Sequence, residues 1–142
     1  MIEIRRATEA DLPTVLDIQA ELTPSTLERA VPTFRTISTY PDYGVYVAVD
    51  DGAIAGTFAL LIVDNLGHHC APFAVLENVV VRTPSRRRGI GRHMLTFAAD
   101  HARSRACYKL ILGSNLKLTD AHRFYEQLGY RRQGHVFQLD LP

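Results

Sequence analysis

Apolar and charged positions alternate at the start of the chain, where Ile2 and Ile4 are separated by Glu3, and this period of two predicts a first strand. The spacing then changes to a helical one. Leu12, Val15, Leu16, Gln19 and Leu22 follow Thr8-Glu9-Ala10-Asp11, which has the spacing of an N-cap with an acidic residue three positions on. Together they predict a helix over 11–21. A weaker helical pattern over 25–39 puts Leu27, Val31, Phe34 and Ile37 or Ser38 on one face, with Pro32 as a break or kink. Pro41-Asp42-Tyr43-Gly44 is turn chemistry. Two β-rich runs, 45–49 and 54–63, flank Asp50-Asp51-Gly52, and an acidic-Gly pair between apolar runs predicts a hairpin. Residues 65–72 read as a loop. The long apolar run Phe73–Val81 predicts a strand covered on both faces.

Past that strand, Ile90, Met94, Phe97 and Ala98 share one face of a helix from Ile90 to about Arg103. Residues 108–112 are again continuously apolar and predict a buried strand. A helix over 118–128 ends at Gly129, a suitable C-terminal stop. Residues 130–132 and 135–141 predict two short final strands. The order is βααββ, then βαβ, then αββ. The central crossover implies parallel strands with a helix over one face, and the hairpins imply antiparallel neighbours. The fold class predicted is α/β, a mixed twisted sheet with helices on both sides.

Length and composition narrow this only a little. The 142 residues suit a single domain, 1–142, with a real core, and 46 % hydrophobic with 22 % charged residues is ordinary for a globular protein. No stretch approaches the ~20 apolar residues that span a membrane. The N-terminus reads as a strand and not as a signal peptide, so the cytoplasm is the expected location. The two cysteines, Cys70 and Cys107, make no disulfide framework. A formal net charge of +1 argues against bulk binding to nucleic acid or a membrane surface.

The candidate chemistry begins at Arg86-Arg87-Arg88-Gly89-Ile90-Gly91-Arg92, between a predicted strand and a predicted helix. Glycines let backbone N–H groups approach a phosphate, a helix N-terminus adds unpaired donors and a positive dipole end, and arginines add charge. A Walker-type loop would end Gly-Lys-Ser/Thr, but this one ends Gly91-Arg92-His93. A dinucleotide fingerprint would place a third glycine where Met94 stands and an acidic residue about 20 positions on, where 107–113 has none. A nucleic-acid patch and a plain solvated basic turn remain as alternatives on local sequence alone.

A second motif lies downstream, Ala121-His122-Arg123-Phe124-Tyr125-Glu126-Gln127-Leu128-Gly129-Tyr130. The two motifs, in this order and with a strand between them, resemble the GCN5-related N-acetyltransferase (GNAT) superfamily. Its pyrophosphate motif is Arg/Gln-x-x-Gly-x-Gly/Ala, and its closing motif is Ala-x-x-Phe-Tyr-x-x-x-Gly-Phe/Tyr. The resemblance covers nearly the whole chain. It implies a six- to seven-stranded mixed sheet with about four helices on both faces, and acetyl-CoA as cosubstrate. The chain departs from the family at Leu118, where many relatives carry an asparagine that contacts the pantetheine arm. Asn115 is the candidate for part of that role.

The resemblance also assigns roles. The backbone of the strand from Asn78 through Val79, Val80 and Val81 would pair with the pantetheine arm, with the Val79 N–H facing the thioester oxygen. Arg86, Arg87, Arg88, Gly89, Ile90, Gly91 and Arg92 would hold the pyrophosphate, and Phe124 would contact the cofactor. Glu77 is the only acidic residue in the run Phe73–Val81, and a carboxylate there is costly unless it is solvated, paired or functional. It is the candidate general base, directly or through water. Tyr125 is the candidate general acid for the leaving thiolate.

The histidines carry less. His68-His69-Cys70 lies where acceptors bind in this family, and it could ligate zinc only with a third or fourth ligand, none of which is evident nearby. No metal is expected. His122 lies one turn before Tyr125 on the same helical face, placed for a ligand contact or for solvent. Arg5, Arg6, Arg131 and Arg132 read as solvated charges. Two subfamily echoes appear. Asp120-Ala121-His122-Arg123-Phe124-Tyr125 with the paired histidines resembles aminoalkylphosphonate acetyltransferases. Cys107-Tyr108-Lys109-Leu110-Ile111-Leu112 with Glu77-Asn78 resembles glucosamine-phosphate acetyltransferases. The implied activity is transfer of an acetyl group to the primary amine of a small molecule by direct attack in a ternary complex. A protein N-terminus or lysine as acceptor, and a non-catalytic acetyl-CoA-binding module, stay as alternatives. Dimers are common among such proteins, which leaves a homodimer open.

Overall fold

The hairpin predicted at Asp50-Asp51-Gly52 anchors the sheet. Strands β2 (Tyr43–Asp50) and β3 (Ala53–Val63) pair antiparallel, with Asp50 opposite Ala53. Both turn residues lie at positive φ, 48° at Asp51 and 83° at Gly52, the hand that matches the twist of the flanking strands. The computed structural model describes residues 1–142 and forms two compact units, Met1–Ile111 and Leu112–Pro142.

The first unit holds β1 (Ile2–Arg6), α1 (Leu12–Gln19), α2 (Leu27–Ile37), β2, β3, α3 (Gly67–Cys70), β4 (Phe73–Val81) and α4 (Ile90–Ser104), and leads into β5 (Leu110–Leu112). The sheet order is β1-β2-β3-β4-β5, with the first three pairs antiparallel. β5 follows the α4 crossover. Tyr108 N–H donates to Pro72 O at 3.0 Å and Ala74 N–H donates to Lys109 O at 3.0 Å, so the bonds advance in the same direction along both segments, as in a parallel pair.

Side chains alternate across this sheet. On one face Tyr46 and Phe58 stack at 5.2 Å and meet Phe97 of α4, and Met94 lies where a Cβ on Gly56 would approach its sulfur to 2.8 Å. Glycine at position 56 is what lets α4 sit this close. Ile90, Met94 and Ala98 are buried beneath that helix, as their helical spacing predicts; Leu95 is buried too, and Phe97 of the predicted face is half-buried. The opposite face is met by α1, through buried Leu12, Val15 and Ile18.

The start of α1 is pinned by charge. Asp11 accepts from the Thr8 backbone N–H at 2.7 Å, as the capping pattern predicts. It also takes the forked Arg5 guanidinium at 2.7 and 3.1 Å, so Arg5 is paired and not merely solvated. These donors, Arg5 foremost, hold the Asp11 carboxyl well below the usual carboxylate range. α2 runs through Pro32 as one helix, with Thr26 capping it.

Four expectations need correction. The sheet has five strands, not six or seven. Residues 130–132 and 135–141 form no strand, and Val136, Phe137, Leu139 and Leu141 are each at least 80 % exposed. Their alternation is strand-like, but a strand also needs a partner ladder, and none pairs with them here. Strand β4 is half-covered, not covered on both faces: Ala74, Leu76 and Val80 are buried, whereas Glu77 and Asn78 are exposed. β5 is likewise not fully buried, since Ile111 is exposed and Tyr108 beside it is too. No helix is long and apolar enough to cross a membrane.

The second unit contains α5 (Thr119–Gln127). Its Phe124 and Tyr125 rings lie 5.6 Å apart, and Tyr130 lies 5.9 Å from Tyr125. Gly129 ends this segment at φ 91°.

Candidate active site

The site is built around a defect in β4. Glu77 lies opposite Ala59 and Val80 opposite Thr57, so Asn78 and Val79 together face the single residue Phe58. This is a β-bulge, and Asn78 takes φ 54° to make it. The ladder is interrupted where the family resemblance places a free Val79 N–H. Val80 puts its side chain into the core at 5 % exposure, and Val79 and Val81 are half-buried. Packing and a backbone contact are therefore compatible in the same three residues.

Glu77 projects on the α1–α2 face and is exposed, so water solvates it. Alternation through Ala59 puts it on the same face as Tyr43 and Val45. Burial pushes the Tyr43 hydroxyl up from its ordinary value, and the Glu77 carboxylate adds to that. Tyr43 also borders a cavity of about 160 Å³ with Phe34, Ile37 and Val45. Sequence reasoning treated Tyr43 only as part of a turn. Its relation to Glu77 runs across two strand registers, which no local pattern carries.

Beyond Val81 the chain makes a 3₁₀ turn, Thr83–Ser85, and enters the arginine run. Arg87 lies at φ 64° and Gly89 at φ 83°. A Cβ at position 89 would meet nothing closer than His93 Nδ1 at 3.9 Å, so the backbone conformation and not crowding calls for glycine there. Gly89 offers no side chain to cap α4, and no acidic residue sits in the first helical turn. The positive end of the helix is thus left without a neutralising group. Ile90 buries its side chain at 1 % exposure, so only its backbone can face a ligand.

The four arginines of the run divide. Arg86 donates through Nε to Val81 O at 3.0 Å and pairs with Glu21, which also accepts from Thr83 Oγ1 at 2.8 Å. Arg82 pairs with Asp17 at 3.1 Å. Asp17 and Glu21 therefore tie the end of α1 to the base of the turn. Arg88 pairs with Asp50 at 2.9 Å. Arg87 and Arg92 take part in no ion pair and are exposed. The structure thus separates arginines that shape the turn from those left free for an anion.

In the second unit, Tyr125 is half-buried, and burial pushes its hydroxyl above the ordinary tyrosine value of 10.0. It stays protonated at neutral pH, as a proton donor must. Asn115 Oδ1 accepts from Lys117 N–H at 2.9 Å, which commits one side-chain oxygen to the local turn and leaves the amide NH₂ free. His122 Nε2 lies 2.9 Å from Asn115 O, so the histidine holds that loop to α5. His68, His69 and Cys70 remain exposed, and no group of three or more His, Cys, Asp or Glu side chains converges anywhere.

A bulged strand thus leads into an uncapped, arginine-rich helix start. The acetyltransferase (GNAT) family model matches residues 12–130. The chain belongs to that family and is an acyltransferase enzyme. It is 30 % identical over 132 residues to the aminoalkylphosphonate N-acetyltransferase of Salmonella typhimurium, covering 92 % of this chain and 85 % of that one. It is 28 % identical to the glucosamine 6-phosphate N-acetyltransferase of Trypanosoma brucei brucei, covering 99 % and 96 %. A solved structure from Agrobacterium tumefaciens superposes with a TM-score of 0.92 at 31 % identity, covering 98 % of this chain and 99 % of the other. The first two are the kinds of enzyme that the subfamily echoes named.

Proposed function

We propose that this protein transfers an acetyl group from acetyl-CoA to the primary amine of a small molecule, by direct attack within a ternary complex. The observation that carries the reading is the bulge at Asn78, which follows Glu77 on one side and leads into the uncapped start of α4 on the other. Acetyl transfer can use a base for the amine, a free backbone donor for the thioester oxygen and a cradle for the pyrophosphate, and these features would supply them. Relatives that act on small amines support the choice of acceptor.

Each residue has a part. The N–H groups at the start of α4, with Arg87 and Arg92, bind the pyrophosphate. Arg86 and Arg88 hold the turn in shape through Glu21 and Asp50. The Val79 N–H donates to the thioester oxygen as negative charge develops on it. Glu77 removes a proton from the attacking ammonium or amine, directly or through water. The amine nitrogen bonds to the carbonyl carbon, the carbon–sulfur bond breaks, and Tyr125 gives its proton to the departing thiolate. Asn115 and Phe124 contact the pantetheine arm.

The test is a thiol-release assay with acetyl-CoA and a panel of amino acids, aminophosphonates, amino sugars, polyamines and peptides. Turnover with small amines is the expected result. Turnover with peptides alone would make the protein a protein acetyltransferase. Tight acetyl-CoA binding with no turnover on any amine would make it a non-catalytic module.

A further inference from the structure

Gly89 sets the direction of the first donors of α4, yet glycine is the residue least able to hold a direction. It stands at φ 83° with no side chain to bond the helix end. The Gly89–Ile90 peptide is planar and trans, so its C=O and its N–H point opposite ways. Whatever fixes the Gly89 oxygen therefore aims the Ile90 N–H, one of the donors that a helix start leaves without a partner in the helix. Two groups fix that oxygen. The His93 backbone N–H donates to it at 3.1 Å, the ordinary first bond of the helix. The His93 ring adds a second contact, from Nδ1 to the same oxygen at 2.8 Å.

A carbonyl oxygen only accepts, so Nδ1 carries the ring proton. The oxygen has two lone pairs, and both bonds form together. Side chains on a helix lean toward its N-terminus, which lets residue 93 reach back to residue 89. The exposed ring lies along the flank of α4. It borders a cleft of about 370 Å³ with Phe97 and Asp100, further along the helix, and Ile4 of β1. The end of the helix is left open to an anion. Arg86 and Arg88 brace the turn on the other side of Gly89, through Glu21 and Asp50. His93 braces it from the helix side, with a neutral donor that does not compete for the anion.

We propose that His93 is a positioning residue for the cosubstrate: its Nδ1–H locks the Gly89–Ile90 peptide so that the Ile90 N–H faces the pyrophosphate. This rests on the acetyl-transfer reading for the identity of the anion alone. The imidazole touches no phosphate and takes no part in the chemical step. It holds the donor in place before the ligand arrives, so less conformational freedom is lost on binding.

The experiment compares wild type with His93→Phe, which keeps a ring and loses the donor, and with His93→Asn, whose amide nitrogen sits as far from the backbone as Nδ1 does. Calorimetric titration with coenzyme A and with acetyl-CoA gives a readout without turnover. The dissociation constants rise by about three- to tenfold in His93→Phe, the loss of one hydrogen bond, and stay within about twofold of wild type in His93→Asn. In turnover the acetyl-CoA KM follows the same order, while kcat and the acceptor KM hold. Melting curves confirm that each variant is folded. A second readout needs no ligand. At a pH where the ring is neutral, nitrogen-15 shifts show His93 protonated at Nδ1, and the Gly89 carbonyl carbon-13 shift moves in His93→Phe but not in His93→Asn. Unchanged affinity in a folded His93→Phe overturns the proposal. So does equal weakening in both variants, or a ring protonated at Nε2. Ring and carbonyl shifts as expected, in a protein that binds neither coenzyme A nor acetyl-CoA, would uphold the peptide lock and sink the acetyl-transfer reading instead.

Discussion

The two ends of β4 are built on different principles. The C-terminal end runs through a backbone bulge into a turn dense with arginines and an uncapped helix start, which offers backbone N–H groups to a ligand. The N-terminal end begins at Phe73, among rings and a lone lysine, where contacts come from side chains. Backbone donors can serve a group that every member of a family shares, because they survive changes of sequence. Side chains discriminate. The first end is therefore suited to the constant substrate and the second to the variable one, with Glu77 between them.

Replacing the residue in the middle gives the largest effect. Glu77→Gln lowers kcat by about a hundredfold or more at neutral pH, as loss of a general base does, and leaves both KM values within a few-fold. It also removes the acid-side limb of the kcat/KM profile. A raised KM with kcat intact would assign Glu77 to binding. Tyr125→Phe lowers kcat by about a hundredfold, without changing acetyl-CoA affinity. Because burial raises its hydroxyl above the ordinary tyrosine value, the protonated form persists through neutral and mildly basic pH, and an activity loss in that range belongs to another group.

Replacing Arg87 and Arg92 together by alanine sharpens the contrast between the ends. The acetyl-CoA dissociation constant rises by about tenfold, its salt dependence weakens, and acceptor KM stays put. Equal changes in both KM values would mean that the ends are not separate. The smallest effect lies outside both ends. Asp11→Asn lowers stability by about 1 kcal/mol in chemical denaturation, from the lost cap and ion pair. The folded Asp11 carboxyl is depressed, so its contribution is present above the unfolded value of about 4 and is lost as the pH falls further. The variant lacks that part of the acid sensitivity.

What could be read from the sequence divides along the same strand. The arginine turn was legible because its chemistry is contiguous: glycines at 89 and 91, basic residues around them, a strand before and a helix after. The hairpin at Asp51-Gly52 was legible for the same reason. The bulge was not, because it is a mismatch of count between β4 and β3; an asparagine tolerates a positive φ, but within the apolar run it does not mark one by itself. Tyr43 and the pairing of His68 with Tyr108 depend on strand register and crossover, which bring residues 40 apart into contact. The final strands were over-read, since Phe137, Leu139 and Leu141 alternate in sequence yet meet no partner strand. The ties from Asp17 and Glu21 to the turn were missed too, because exposed helical carboxylates look alike until their partners are known.

The central claim is that acetyl-CoA takes its place on the bulge and the α4 start, leaving the other end of β4 to the acceptor. Amide chemical shifts measured during an acetyl-CoA titration test it most directly. The account predicts large, saturable shifts at the Val79 N–H and at the N–H groups of Ile90, Gly91 and Arg92, with Phe73 and Lys109 unmoved. Shifts confined to Phe73 and Lys109, with Val79 and the helix start silent, would contradict it.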